Sequence, residues 1–280
     1  MIYDLLTLLT SAFTVAQSTF TKLSSRSDKT ISIISFNMFK ALAACILFGV
    51  ISFKDFNLHI PTVLYSMLYG CSLLLSTIFG YLALMKGSMA LTSLLCSYSI
   101  VIPCIFGIAY LDEDLGFFQY MGLALLFISM YLLRKKDLSS KFEKNWGVCV
   151  GVTFVCNGIC SVIQKLHQNQ FPSSYCKEFT FFSILFVFVV LLLVTVARRE
   201  KQNITILKYS VPAGISMGLA NYMTLFLSSY VDATILFPAT TIFTILLNYI
   251  VSRLLFKDKF NKKQIFGIIL GVISIIFIKR

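Results

Sequence analysis

Acidic side chains are scarce in this chain. Twelve Asp and Glu stand against 24 Lys and Arg, and charged residues of both signs make up only 13% of its 280 positions. No acid falls in the middle of an apolar run; Glu178 and Asp232 come nearest, and the "DED" at 112–114 reads as a loop. A carboxylate relay at mid-bilayer depth, the usual device of proton-coupled efflux, is therefore not visible. Histidine is rarer still, with only His59 and His167, both read as loop residues, and no GxSxG sequence occurs. Hydrolytic chemistry lacks its nucleophile and base, and lipid-phosphate transfer lacks its acidic metal site. No GxxxxGK[ST] stretch is present either, so a nucleotide-driven pump would need its ATPase on another chain. The eight cysteines contain no CxxC and have no His or acid beside them at ligand spacing, which makes them packing residues and leaves no metal or cofactor to expect.

Apolar surface is what the chain has in quantity: 58% of it is hydrophobic, with 27 Phe and 13 Tyr. Apolar runs occupy about 5–21, 31–52, 61–84, 88–111, 117–133, 147–164, 178–197, 209–228, 233–252 and 264–278. They are continuous over helical lengths, whereas barrel strands would alternate over about ten residues. The pattern predicts an all-α polytopic membrane protein of about ten transmembrane helices, whose first partner is the lipid bilayer. The first run begins at Leu5 after a single acid, Asp4, with no basic leader region, and is expected to be retained rather than cleaved. The net charge of +12 would point to nucleic acid in a soluble protein, but here the cations lie between apolar runs and read as topology determinants, with no nucleic-acid partner.

The two halves echo one another at a spacing of 143 to 145 residues. "STFTKL" (18–23) aligns with "SVIQKL" (161–166), "YSMLYGCS" (65–72) with "YSVPAGIS" (209–216), and Gln119, Gly122 and Ser129 with Gln264, Gly267 and Ser274. Five helices is an odd number, so a second copy following the first must be inverted in the membrane. The expected organisation is two inverted five-helix repeats, 1–136 and 146–280, joined by a basic linker at 137–145. Gly147/Gly151, Gly214/Gly218 and Gly267/Gly271 form GxxxG pairs suited to close helix packing. Pro103, Pro212 and Pro238 lie inside predicted helices and are expected to kink them beside a substrate path.

Polar groups within the runs are the candidates for that path. Lys40 lies about a third of the way into the second run, where its bland role is snorkelling to the interface. Lys22 and Lys165 close the first and sixth runs, where a cation also complements a helix C-terminus. The functional alternative is that both attract a carboxylate or phosphate at a central vestibule. Thr14, Ser18 and Lys22 share one helix face, as do Asn157, Ser161 and Lys165. Gln17, Asn37, Tyr81, Tyr98, Asn221, Tyr222 and Asn248 complete the set of candidate lining residues, each as well suited to a helix-to-helix hydrogen bond as to a ligand.

With these residues in view, the chain resembles the drug/metabolite transporter superfamily, in particular its ten-helix EamA-like branch. The likeness is carried by "STFTKL", by "FNMFKALAA", by "SIVIPCIFGIAYLDED" with Pro103 and Glu113, and by the Gly-containing "FQYMGLALLFISMYLL". Two departures fall in the second half: "LLFKDKF" offers Asp258 where the family often has Glu, and Asn248 aligns with Pro103. The resemblance implies a secondary transporter of small-molecule solutes, working by alternating access, with export the expected direction, across a bacterial cytoplasmic membrane. A monomer suffices for that architecture, and a homodimer is compatible with it. The expected solute is a small polar or amphipathic metabolite, amino-acid-like or otherwise bearing an anionic group, or a drug-like compound. An intramembrane enzyme and a receptor-like structural protein are the competing readings. On orientation the two warrants diverge. Eighteen of the 24 Lys and Arg fall on odd-numbered loops, which by the positive-inside rule puts both termini outside, whereas the resemblance implies both inside.

Overall fold

A computed structural model describes residues 2–27, 32–52, 57–86, 92, 96–111, 113, 116–133, 144–199, 204–256 and 262–278. Most of the predicted linker 137–145, and Asp258, lie outside the described residues. Among those described, the regular structure is helical: α1 (Ile2–Ser27), α2 (Ile33–Ser52), α3 (Ile60–Lys86), α4 (Val101–Tyr110, preceded by a 3₁₀ turn at Tyr98–Ile100), α5 (Phe117–Leu133), α6 (Lys144–Gln170), α7 (Cys176–Ala197), α8 (Leu207–Leu227), α9 (Ala233–Phe256) and α10 (Lys262–Ile278). Five of the ten (α2, α3, α6, α7 and α9) are long and apolar enough to cross a bilayer on length and composition alone. The molecule is an integral, multi-pass, all-α membrane protein.

The distribution of polarity fits lipid as the solvent. Leu193, Val196 and Leu254 are 64%, 66% and 72% exposed on outward faces, while Ser66, Asn37 and Lys40 are almost wholly buried. Water would favour the opposite arrangement; hydrocarbon penalises each exposed polar group and is indifferent to leucine. Two helices also run further than the apolar runs alone indicated. Lys22 and Lys165 therefore lie inside α1 and α6, more than a turn before Ser27 and Gln170, rather than at their ends. Residues after each lysine stay helical because their polar groups find partners: Ser25 donates to the Lys22 carbonyl, and the His167 ring is hydrogen-bonded on both sides.

Helix packing pairs the first five helices with the last five in a reciprocal way. Helix α1 packs on α8 as α6 packs on α3, α1 meets α9 as α6 meets α4, α2 meets α8 as α7 meets α3, and α2 pairs with α7 and α5 with α10. Along the α3–α6 seam Thr62 meets His167, Tyr69 meets Gln164 and Cys160, and Ser76 meets Asn157, so these two helices are antiparallel. The α5–α10 seam is also antiparallel, with Phe118 near Phe277 and the Ser129 hydroxyl donating to the Gly267 carbonyl at 2.7 Å.

Small residues set the closest approaches. Gly214 and Gly218 present the bare backbone of α8 to α2, where a side-chain carbon at Gly214 would fall on the carbonyl oxygen of Lys40 and one at Gly218 would lie 2.8 Å from the Phe48 ring. Gly267 and Gly271 face Ser129 in the α5–α10 seam. The third GxxxG pair is not a packing motif: a carbon at Gly147 or Gly151 would meet nothing within 4 Å. Spacing alone places two glycines on one helix face; it does not say whether another helix lies against that face. Of the prolines, Pro212 and Pro238 are internal to α8 and α9. Pro103 lies in the first turn of α4, directly after the helix tightens to 3₁₀ at Tyr98–Ile100.

Candidate functional site: a polar cavity between the two halves

Helices α1, α3, α4, α6, α8 and α9 surround a cavity of about 340 Å³, and α2 adds one residue to its wall, Lys40. The wall is built from side chains that a helix can carry without breaking its own ladder. Threonine and serine hydroxyls on α1 donate back to the carbonyl four residues earlier, as Thr10 does to Leu6, Thr14 to Thr10 and Ser18 to Thr14, at 2.8, 3.0 and 3.1 Å. Helix α6 repeats the device with Thr153 to Cys149 and Ser161 to Asn157. Each hydroxyl thereby satisfies its proton inside the helix and turns its oxygen lone pairs outward.

Lys40 is the one cation among the described lining residues, and no described acid lines the cavity with it. It is 3% exposed and makes no hydrogen bond or ion pair with any described residue. Two lining amides are also incompletely satisfied: Asn221 Nδ2 and Asn248 Oδ1 have no hydrogen-bond partner among the described residues. An unpaired ammonium at this depth is costly, so its surroundings favour an anion or water beside it.

Of the sequence candidates, Gln17, Ser18, Lys40, Tyr81, Asn157, Ser161, Asn221 and Asn248 line this cavity, as does Pro103. Pro212 and Pro238 do not. Five side chains are used elsewhere. Tyr98 stacks on Phe127, Tyr222 packs between Phe48 and Phe226, and Asn37 is buried with its Nδ2 donating to the Ile33 carbonyl at 3.0 Å. Lys22 donates to the Leu84 carbonyl at 2.6 Å, and Lys165 donates to the carbonyls of Ser228 and Val231 at 3.3 and 3.0 Å. Leu84 and Ser228 are 144 residues apart, so the two lysines close equivalent helix ends with equivalent bonds. Both ammonium groups are thus engaged on carbonyls at or just beyond the ends of α3 and α8, and neither lines the cavity.

Tyr69 and Gln164 were absent from the candidates and belong to the wall. They bond to each other at 3.4 Å, and Gln164 also donates to the Asn221 carbonyl. Neither carries a charge to draw attention in a sequence.

Beyond Gln164, at the next residue of α6, lies the larger surprise. Glu113 reaches Lys165 at 3.3 Å and at the same time accepts the N–H groups of Ala233 and Thr234, at 2.9 and 3.0 Å, and the Thr234 hydroxyl at 3.0 Å. One carboxylate thus ties the α4–α5 connection to α6 and caps the N-terminus of α9. Gly107 makes room for it, since a side-chain carbon there would lie 2.6 Å from Glu113 Oε2. Burial pushes the Glu113 pKa up, but the Ala233 and Thr234 amides, the Lys165 charge and the Thr234 hydroxyl outweigh it and hold the carboxyl below the usual glutamate range. The resemblance had singled out Glu113; its partner could not be read from the chain because it lies 52 positions away in the other half.

His167, read as a loop residue, is instead fully buried in the last turns of α6. Its Nε2 lies 3.0 Å from Thr62 Oγ1 and its Nδ1 2.9 Å from Gln168 Nε2. His59 does precede a helix, bonding Thr62 at 3.0 Å and stacking on Tyr175. Neither imidazole lines the cavity.

Comparison with known proteins agrees with this architecture. The model of a family described as "EamA-like transporter family" matches residues 145–280. A solved structure, described as "Crystal structure of protein", is similar over 98% of this chain and 98% of its own at 14% identity, with a TM-score of 0.73, which is a likeness of fold. A search of curated proteins finds no match.

Proposed function

We propose that this chain, whose residues 145–280 match the model of the EamA-like transporter family, is a secondary transporter of that kind that moves a small polar solute bearing an anionic group by alternating access. The observation that carries the reading is the cavity itself: a polar chamber between the two halves, with Lys40 as the one cation among the described lining residues and no described partner for it. Alternating access draws support from the reciprocal packing of helices 1–5 on helices 6–10 and from the equivalent Lys22 and Lys165 ties at the ends of α3 and α8. We read residues 1–136 and 146–280 as the two moving repeats; the family match, confined to residues 145–280, fits one such unit. The Glu113–Lys165 contact is an ion-paired tie between the first repeat and the second.

A carrier is favoured over an intramembrane enzyme by the state of the lining hydroxyls. Those of Thr14, Ser18 and Ser161 are engaged on backbone carbonyls, and the buried His167 ring is engaged on Thr62 and Gln168 and does not line the cavity. Nucleophilic catalysis needs a hydroxyl within reach of a base. The working assignment is export by a monomer across a bacterial cytoplasmic membrane.

Counterflow of labelled solutes in proteoliposomes tests the function, using amino acids, sugar acids, sugar phosphates, nucleosides and cationic dyes. Accumulation of an anionic-group solute above protein-free vesicles is expected, and Lys40→Ala is expected to reduce it at least about tenfold, the scale of a charge-assisted hydrogen bond. Unchanged transport of that solute by Lys40→Ala would remove charge recognition from the mechanism.

Orientation is a separate expectation. With odd-numbered loops in the cytoplasm, single cysteines introduced at positions 140 and 204 stay unlabelled by a membrane-impermeant maleimide in intact cells and react after permeabilisation. Labelling in intact cells reverses the orientation.

A further inference from the structure

The hydrogen-bond polarity of the cavity carries an inference that deepens the transporter reading and rests on it. Six lining hydroxyls, those of Thr10, Thr14, Ser18, Thr153, Ser161 and Thr224, each lie 2.8–3.2 Å from the carbonyl oxygen four residues earlier in their own helix. In that rotamer the proton points into the helix, and what remains for a solute is the oxygen lone pairs. The Ser76 hydroxyl is likewise spent, on Asn157 Oδ1. Asn248 adds an acceptor oxygen and Asn221 an amide donor, Nδ2, neither with a partner among the described residues. A wall that looks hydroxylic and amphoteric by composition is therefore weighted towards acceptors.

Against this stands one strong donor, Lys40, with no counter-charge among the described residues of the lining. A solute with one net negative charge neutralises the chamber. A zwitterion leaves it net positive, and a cation adds a second positive charge in a medium that screens poorly. The acceptors in turn demand O–H donors on the solute, since an acceptor left facing hydrocarbon loses its hydration without replacement.

We propose that the cavity selects polyhydroxylated monocarboxylates, compounds of the aldonate class, with the carboxylate on Lys40 and the hydroxyls donating to the threonine and serine oxygens of α1, α6 and α8.

Binding to the purified full-length protein in detergent, read by thermal shift and by competition against labelled D-gluconate, tests this with four probes. D-Gluconate is expected to stabilise the protein. Hexanoate, which keeps the charge and loses the donors, D-gluconamide, which keeps the donors and loses the charge, and L-glutamine, which is zwitterionic, are each expected to bind at least about tenfold more weakly. Lys40→Gln is expected to abolish discrimination between gluconate and gluconamide, while Lys40→Arg retains it and controls for folding. Thr14→Val combined with Ser161→Ala is expected to narrow the preference for gluconate over hexanoate with Lys40 untouched. Hexanoate, gluconamide or glutamine binding as tightly as gluconate overturns the proposal, and so does the absence of gluconate binding. If the same preparation in proteoliposomes transports a different solute, the selectivity inference fails and the transporter reading stands. Gluconate binding without transport of any solute has the opposite meaning: the selectivity stands and the transporter reading fails.

Discussion

Glu113→Ala is expected to lower the stability of the folded protein by about 3–5 kcal/mol, the range found when one member of a buried ion pair is removed. Three losses coincide at this residue. Lys165 keeps two carbonyls but no counter-charge, the first amides of α9 lose their cap, and the Thr234 hydroxyl loses its acceptor. Glu113→Gln preserves the shape and part of the capping, so its cost is smaller, about 1–3 kcal/mol. Lys165→Met added to Glu113→Gln is expected to cost less than the two single changes summed, because the second change removes the charge that the first stranded. Unfolding midpoints in detergent across the four variants check this; strict additivity would separate the pair into independent contacts.

The same residue predicts a direction with pH. Its native carboxyl titrates below the ordinary glutamate value, so its contribution is complete above the unfolded pKa, near 4.3, and is lost as pH falls through the lower native one. Wild-type stability is therefore expected to fall more steeply on acidification than that of Glu113→Gln. Parallel curves would remove the assigned role.

Gly214→Ala is the second large effect, expected to destabilise by about 1–3 kcal/mol through overpacking. The obstacle is the Lys40 carbonyl, a backbone atom that has no alternative rotamer. To admit one methyl group, α2 and α8 must move apart, and the helix that moves carries the cavity's cation. Solute affinity should fall together with stability. Gly151→Ala is the matched control: same residue change, same GxxxG spacing, but open space around the added carbon. It is expected to be neutral or to stabilise by up to about 1 kcal/mol, as the helix loses a flexible residue. Equal losses at both positions would show that the close approach at Gly214 is not what limits it.

These two sites mark what a sequence can and cannot say. Glycine spacing is visible in the chain, and it nominated Gly147/Gly151 and Gly214/Gly218 on equal terms. Only the packing of α8 on α2 distinguishes them, since spacing fixes a face and the neighbour determines whether that face is used. The lysines divide in the same way. Lys22, Lys40 and Lys165 all interrupt apolar runs, and each was a fair candidate for the path. The fold gives Lys22 and Lys165 carbonyls at helix ends and leaves Lys40 facing the cavity.

The solvent, the helices and the family resemblance are legible in the chain without its fold. Those rest on composition and on the length of apolar runs, which act locally and survive any error in where one helix meets the next. The chain also identifies both lysine-bearing polar stripes, because α-helical periodicity places Thr14 with Ser18 and Asn157 with Ser161 whatever lies opposite. Only the packed helices show which polar groups share a chamber, which cation has no partner among the described residues, and that the carboxylate of "DED" reaches across to Lys165. Each of these depends on groups far apart in the chain being brought together, as Glu113 is with Lys165 52 positions on and with Thr234 121 positions on. Pairing between distant helices is set by the sum of many packing contacts along their seams, and no single stretch of the chain carries that sum.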